Sequence, residues 1–238
     1  MTHHPVVAHP AWLAARRELL EAEKAFTRSR DELARQRRAL PWEAVTAAYE
    51  FATPQGPRSL DELFGASSQL FVYHFMLGPG WGEGCKSCSY LADHFDGMLP
   101  HLTRRDVAFV AVSSAPLAEI ETFKARMDWR FPWVSAHGSD FNFNYDAASR
   151  PADLAAGRCT YNYAPREGDM TELPAASVFY RDGDGAVFHT YSCYARGLDL
   201  LIGTYNFLDL LPKGRDEDEL DFSMSWVRHH DRYETPAG

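Results

Sequence analysis

The chain has 238 residues, 45% of them hydrophobic and 24% charged, with a formal net charge of −9. That is enough chain for one large domain or for a domain with a substantial appendage, in the composition of an ordinary globular protein. The acidic balance argues against general nucleic-acid binding, the apolar runs are too short to span a bilayer, and the N-terminus lacks the basic, apolar and small-residue order of a signal peptide, so a cytoplasmic protein without nucleic-acid or membrane partners is expected.

Residues 10 to about 40 read as one long helix, because Trp12, Leu19, Phe26, Leu33 and Leu40 recur every seven residues. Arg35, Arg37 and Arg38 suit its C-terminal dipole, and Pro41 stops it. Residues 1–40 hold eight Lys/Arg against five Asp/Glu, a basic arm on a more acidic remainder. One apolar row is too narrow for a self-sufficient coiled coil, so the arm, residues 1–41, is expected either to pack on the body or to form a homodimer contact. The body is residues 42–238.

From residue 42 to Gly65 the chain reads as a connecting region, with turn signals at Thr53-Pro54-Gln55-Gly56-Pro57 and a short helical turn at Ser59–Phe64. Leu70–Leu77 is apolar on both faces, as a buried central strand should be, which makes His74 a hydrogen-bonded core histidine. A glycine-rich turn, Gly78–Gly84, then leads into Cys85-Lys86-Ser87-Cys88 and a helical pattern with Cys88, Leu91, Phe95, Met98 and Leu102 on one face, kinked or shortened by Gly97 and Pro100. Asp93 and His94 fall on its exposed side. Asp106–Val112 is a second buried strand, followed by a helix that buries Leu117, Ile120, Phe123 and Met127. Strand, helix, strand, helix at this spacing implies βαβ units and a parallel sheet.

The aromatic stretch Trp129–Tyr145 reads as core, with a short strand at Pro132–Ala136. Residues 146–174 look irregular apart from a helical turn at Ala152–Ala156. Ser177–Tyr180 and Ala186–Tyr191 flank Asp182-Gly183-Asp184-Gly185 as a β-hairpin, a final helix is expected over Gly197–Leu210, and the charged tail from Pro212, with His229, His230 and Asp231, is expected on the surface.

The chemistry concentrates in the CxxC. Four cysteines do not make a disulfide scaffold, so in a reducing compartment such a pair at a strand-to-helix junction reads as a thioredoxin-like redox motif. Cys85 would sit where unpaired backbone N–H groups and the helix dipole favour a thiolate, with Lys86 adding a positive charge. Cys88, one turn deeper, would resolve the mixed disulfide. The alternatives are a pair of idle thiols, a structural disulfide, or zinc. For zinc, Cys159 and Cys193 are isolated and read as small buried hydrophobes, so no metal is implied. Trp81 is a candidate substrate-groove residue, or else a turn anchor. Glu83 is a candidate proton acceptor for Cys88, or else a solvated carboxylate. No phosphate-binding glycine loop is present, so no organic cofactor is implied.

The stretches Tyr73-His74-Phe75-Met76, Gly84-Cys85-Lys86-Ser87-Cys88-Ser89, Phe131-Pro132-Trp133-Val134-Ser135, Gly138-Ser139-Asp140-Phe141-Asn142, Phe188-His189-Thr190-Tyr191-Ser192, Tyr194-Ala195-Arg196-Gly197-Leu198-Asp199 and Pro212–Asp218 resemble one uncharacterised bacterial family, family 899 of the domains of unknown function. The resemblance covers nearly the whole chain. It implies an α/β thioredoxin-like fold, a central mixed sheet flanked by helices, and the activity for which that family is described, dithiol–disulfide oxidoreduction on a protein or small-molecule thiol or disulfide. That fold places a cis-proline opposite the dithiol, just before the closing hairpin. Ala175 falls at the expected place and Pro174 one residue earlier, where a one-residue bulge would recruit Pro174 to the substrate side.

A thiol-dependent peroxidase of peroxiredoxin-like type is the alternative activity. Its Pro-x-x-x-Thr-x-x-Cys arrangement would require proline and threonine at Gly78 and Gly82 ahead of Cys85, or at Trp81 and Cys85 ahead of Cys88. A redox-inactive thioredoxin-like scaffold that binds a partner through its aromatic surface is the third reading.

Overall fold

The computed structural model describes residues 4–234. Its first unit, residues 1–41, contains one helix among the described residues, α1 (His9–Arg38), with Pro10 in the first turn and Arg35, Arg37 and Arg38 in the last. It is laced by Glu21–Lys24, Arg16–Glu23 and Glu32–Arg35 ion pairs, each worth a few tenths of a kcal/mol at most on an exposed helix. Trp12, Leu19, Phe26 and Leu33 are exposed along one row. No helix among the described residues is long and apolar enough to cross a membrane.

The second unit, residues 42–238, contains β1 (Glu43–Ala44), β2 (Glu50–Thr53), β3 (Gly56–Ser59), α2 (Leu60–Leu63), β4 (Gln69–His74), α3 (Lys86–Ala92), α4 (Phe95–Arg104), β5 (Val107–Ser113), α5 (Leu117–Arg126) and β6 (Trp133–Ser135). There follow α6 (Phe141–Asn144), α7 (Pro151–Ala155), a two-stranded ribbon of β7 (Thr160–Tyr161) and β8 (Ala164–Pro165), then β9 (Ala175–Arg181), β10 (Val187–Tyr194), a 3₁₀ helix Ala195–Leu201 and α8 (Gly203–Leu208).

Among the described residues one eight-stranded sheet has the order β1-β10-β9-β4-β5-β6-β2-β3. Strands β4, β5 and β6 are parallel, β9 is antiparallel to β4, and β10 to β9. A parallel βαβ unit joined to an antiparallel hairpin and closing helices is the topology of a thioredoxin-like fold. The sheet is mixed and flanked by helices, as the sequence implied.

Period-two alternation along β4 divides the core. Leu70 and Val72 point into a layer with Phe51, Val110, Val112, Phe141 and Phe179. Phe71 and Tyr73 point into the opposite layer with Leu91, Phe95, Phe123, Phe131 and Trp133. Both faces are therefore covered, which is why the strand reads as an unbroken apolar run. Phe123, Phe131 and Trp133 are at most 2% exposed, and burying each such side chain stabilises the fold by roughly 1.5–3 kcal/mol.

Four expectations change. The connecting region contributes strands at both sheet edges, because its Pro-Gln-Gly turn closes the β2–β3 hairpin rather than a loop. The helix after the CxxC is two helices, broken at Asp93-His94 and not at Gly97 or Pro100, which lie inside α4. The break has a tertiary cause: Asp93 accepts from Trp129 Nε1 at 2.8 Å and pairs with His230 at 2.7 Å, while the half-buried His94 bonds Thr204. The final helix is a 3₁₀ segment followed by α8. The tail is not all surface, since Val227 and His229 are 0% and 1% exposed.

Candidate active site

Strand β4 ends at His74, and its extension carries the chain to a hydrogen-bonded turn in which Trp81 N–H bonds Gly78 O. Gly80, at φ +76°, takes the left-handed position that favours glycine, and its N–H bonds the Glu119 carboxylate on α5. The chain then returns so that Cys85 N–H bonds Met76 O at 3.0 Å. Cys85 is the N-cap of α3, and Cys88 lies one turn in.

The surroundings of the two thiols differ sharply. Cys85 is half-buried and its acidity is raised, to a pKa of about 6, first by a hydrogen bond from the Cys88 thiol and then by the N–H groups of Cys88 and Ser87 and the Ser87 hydroxyl, against the opposing effect of burial. These are the unsatisfied donors of a helix N-terminus aimed at one sulfur. Exposed Lys86 ranks behind these donors as a cause of the shift. Cys88 is 1% exposed, and burial together with its bond to Cys85 pushes its pKa well up. The Tyr73 hydroxyl and the Met76 N–H donate to the Cys88 sulfur.

Gly84 is required by close approach. A Cβ there would lie 2.5 Å from a Phe75 ring carbon and 2.6 Å from one of Phe123. The Gly84 carbonyl is held from the C-terminal tail, where His229 Nε2–H donates to it at 2.9 Å and the ring stacks edge-on against Phe123. Arg126 anchors the same tail. Its guanidinium makes a two-pronged bond to Asp231, reaches His229 Nδ1 at 3.2 Å and pairs with Glu83 at 2.9 Å. Arg232 also grips Glu83, whose pKa is lowered first by that bond. Glu83 is thus a partly exposed carboxylate clamped by two arginines.

The structure brings Cys85 and Cys88 together. Trp81 is 43% exposed, and its indole folds back over Gly78 beside Glu172. Pro174 immediately precedes β9, next to Ala175, which is paired with His74. The β4–β9 register is unbroken, and the bulge lies in β10, between His189 and Tyr191. No bulge therefore moves Pro174 into the place of Ala175, and Pro174 stays one residue ahead in a trans peptide, since no described peptide bond is cis. Its carbonyl accepts from Tyr161 Oη at 2.7 Å, and Tyr161 lies within electrostatic reach of Cys88. Tyr73 and His229 are the neighbours that sequence reasoning missed. The alternation of β4 does place Tyr73 on the helix side, but nothing local marks His229. Among the described residues no cluster of His, Cys, Asp or Glu is arranged to hold a metal ion.

A family model described as bacterial protein of unknown function (DUF899) matches residues 1–233. The chain belongs to this family. No curated protein matches it. Among solved structures it is similar to a peroxiredoxin Q variant from Xylella fastidiosa, at 10% identity and TM-score 0.42, over 67% of this chain and 88% of that one. It is also similar to the peroxidoxin BcpB from Mycobacterium tuberculosis, at 16% identity and TM-score 0.40, over 68% and 94%. A third is a candidate DsbE thiol:disulfide interchange protein from Chlorobium tepidum, at 12% identity and TM-score 0.42, over 68% and 96%.

Proposed function

We propose that this member of the DUF899 family is a thiol–disulfide oxidoreductase that works through Cys85 and Cys88. The observation that supports this is the asymmetry of the pair: one half-buried thiol made acidic by converging donors, and one buried thiol kept protonated within hydrogen-bond reach of it. Idle or purely structural thiols need no such division.

In the reductive direction the Cys85 thiolate attacks a substrate disulfide, forming a Cys85–S–S–R bond and expelling R′–S⁻. Cys88 gives up its proton to the departing thiolate, attacks the Cys85 sulfur and expels R–S⁻, which takes a proton from water. Two electrons pass to the substrate, and the Cys85–Cys88 disulfide remains. In reverse, that disulfide oxidises a substrate dithiol. We assign Trp81, exposed in the turn ahead of the thiols, and Pro174, just before β9, to substrate contact. The peroxidase alternative lacks the proline and threonine that a peroxidatic arrangement places before its cysteine. The test is turnover of a mixed-disulfide substrate by the wild type, abolished in Cys85→Ser and arrested as a trapped mixed disulfide in Cys88→Ser.

A further inference from the structure

A second line of polar groups begins beside the active-site turn and runs through the sheet. Glu172 is 5% exposed. Its only hydrogen bond among the described residues is from the Ser114 hydroxyl to Oε2, at 2.9 Å. Ser114 Oγ accepts from Asn142 Nδ2 at 3.0 Å, and Asn142 Oδ1 meets His74 Nδ1 at 2.9 Å. His74 Nε2 meets Ser177 Oγ at 2.9 Å, Ser177 Oγ meets Ser192 Oγ at 2.8 Å, and Ser192 Oγ meets His189 Nε2 at 2.8 Å.

With Glu172 ionised, the proton positions are determined throughout. A carboxylate only accepts, so Ser114 spends its one proton there and must accept from Asn142. The Asn142 amide oxygen then accepts from His74 Nδ1–H. Buried His74 is neutral, because desolvation lowers its pKa to about 4, so its Nε2 is bare and accepts from Ser177. Ser177 accepts from Ser192, and Ser192 from His189 Nε2–H. Every donor points toward Glu172. When Glu172 takes a proton it becomes a donor, and one concerted reversal satisfies all the groups: the Asn142 amide turns over, His74 moves its proton from Nδ1 to Nε2, the Ser177 and Ser192 hydroxyls turn to donate the other way, and His189 moves its proton from Nε2 to Nδ1, which faces Glu43.

Two members of this chain, Glu172 at one end and His74 at its middle, adjoin the segment that carries the dithiol. A Cβ on Gly78 would lie 3.3 Å from Glu172 Cγ and 2.7 Å from Trp81 Nε1, so both side chains close over the residue that opens the turn to Cys85. His74 lies two residues before Met76, whose carbonyl holds Cys85 N–H. Among the described residues no charged side chain is paired with Glu172. His137 reaches Ser114 only at the backbone carbonyl, and at the far end His189 faces Glu43 at 3.6 Å and the Tyr145 ring.

We propose that Glu172 is a proton-holding positioning residue of the active-site turn, whose ionisation sets the polarity of the buried chain and the tautomer of His74. The chain thus has two discrete arrangements that a single proton selects. Burial brings the change near neutrality, raising the Glu172 pKa to about 7. Its consequence for the thiols rests on the exchange reading above, but the switch itself does not.

The experiment is ¹⁵N NMR of the His74 imidazole from about pH 5 to about pH 9, the span over which a neutral histidine reports its tautomer rather than its charge. The expected result is conversion from Nε2–H to Nδ1–H as pH rises through neutrality, lost in Glu172→Gln and in Ser114→Ala. Ser114→Ala, which leaves Glu172 in place, keeps the test decisive if Glu172→Gln misfolds. A single His74 tautomer across the range in the wild type, or conversion that persists in either variant, overturns the proposal. In parallel, the pH profile of Cys85 alkylation is expected to lose its upper inflection in Glu172→Gln. Absence of thiol exchange with an intact tautomer switch would count against the exchange reading alone.

Discussion

Replacing Cys88 by alanine or by serine separates the causes of Cys85 acidity. The Cys88 thiol is the first contributor to the lowered pKa, ahead of the helix N–H groups and the Ser87 hydroxyl. A hydrogen bond to a charged group contributes about 1.5–3 kcal/mol, but a thiol is a weak donor, so the low end applies. At 1.36 kcal/mol per pKa unit, Cys88→Ala is expected to raise the Cys85 pKa by about one unit. Cys88→Ser restores a stronger donor at the same place and is expected to keep the pKa at or below the wild-type value. Lys86→Gln is expected to change it less than Cys88→Ala does, since its charge ranks behind the neighbouring thiol and the N–H donors. The assay is the pH dependence of iodoacetamide alkylation of Cys85, mapped by mass spectrometry and checked by thiolate absorbance. An unchanged midpoint in Cys88→Ala, or equal shifts in the alanine and serine variants, would refute the assignment of that acidity to the neighbouring thiol.

Gly84→Ala must displace the buried Phe75 and Phe123 rings, and overpacking of this kind costs about 1–3 kcal/mol; urea denaturation measures the loss, and slower Cys85 alkylation is expected with it. His229→Ala leaves the Gly84 carbonyl without its donor and should destabilise the protein by about 1–3 kcal/mol in the same assay. Tyr73→Phe removes a donor to the Cys88 sulfur, so it is expected to raise the Cys88 pKa further and slow release of a trapped mixed disulfide, measured by stopped-flow. Glu172 has its folded pKa raised, so the stability it permits is fully present below the unfolded value of 4.5 and is lost as pH rises to about 7. Glu172→Gln should abolish that decline, gaining on the wild type by up to roughly 3 kcal/mol above neutrality, as read from urea midpoints at successive pH values.

The dithiol was legible because its signals are local: an apolar strand, a glycine turn and a cysteine pair at the start of a helical pattern put Cys85 at the N-cap. The closing hairpin was legible for the same reason, with Asp182 Oδ1 capping its turn through the N–H groups of Asp184 and Ala186. What escaped was set by distant partners. Asp93 ends α3 because Trp129 and His230 claim its carboxylate. Glu83 is clamped by Arg126 and Arg232, the second of them 149 residues away. His229 looked like part of a charged tail, yet its ring is buried against Phe123 on the residue preceding the first thiol. Glu172 lay in a segment without periodicity, and its isolation from charge follows only from the packing of Gly78, Trp81 and Ser114 around it.

The most direct test of the central claim is the reduction potential of the Cys85–Cys88 couple. The full chain would be equilibrated in glutathione and dithiothreitol buffers, quenched with an alkylating agent and mapped by mass spectrometry. Thiol–disulfide exchange predicts a reversible two-electron couple between these two sulfurs, at a potential between about −120 and −270 mV. Two thiols that never pair, or a bridge that no buffer reduces, would contradict it.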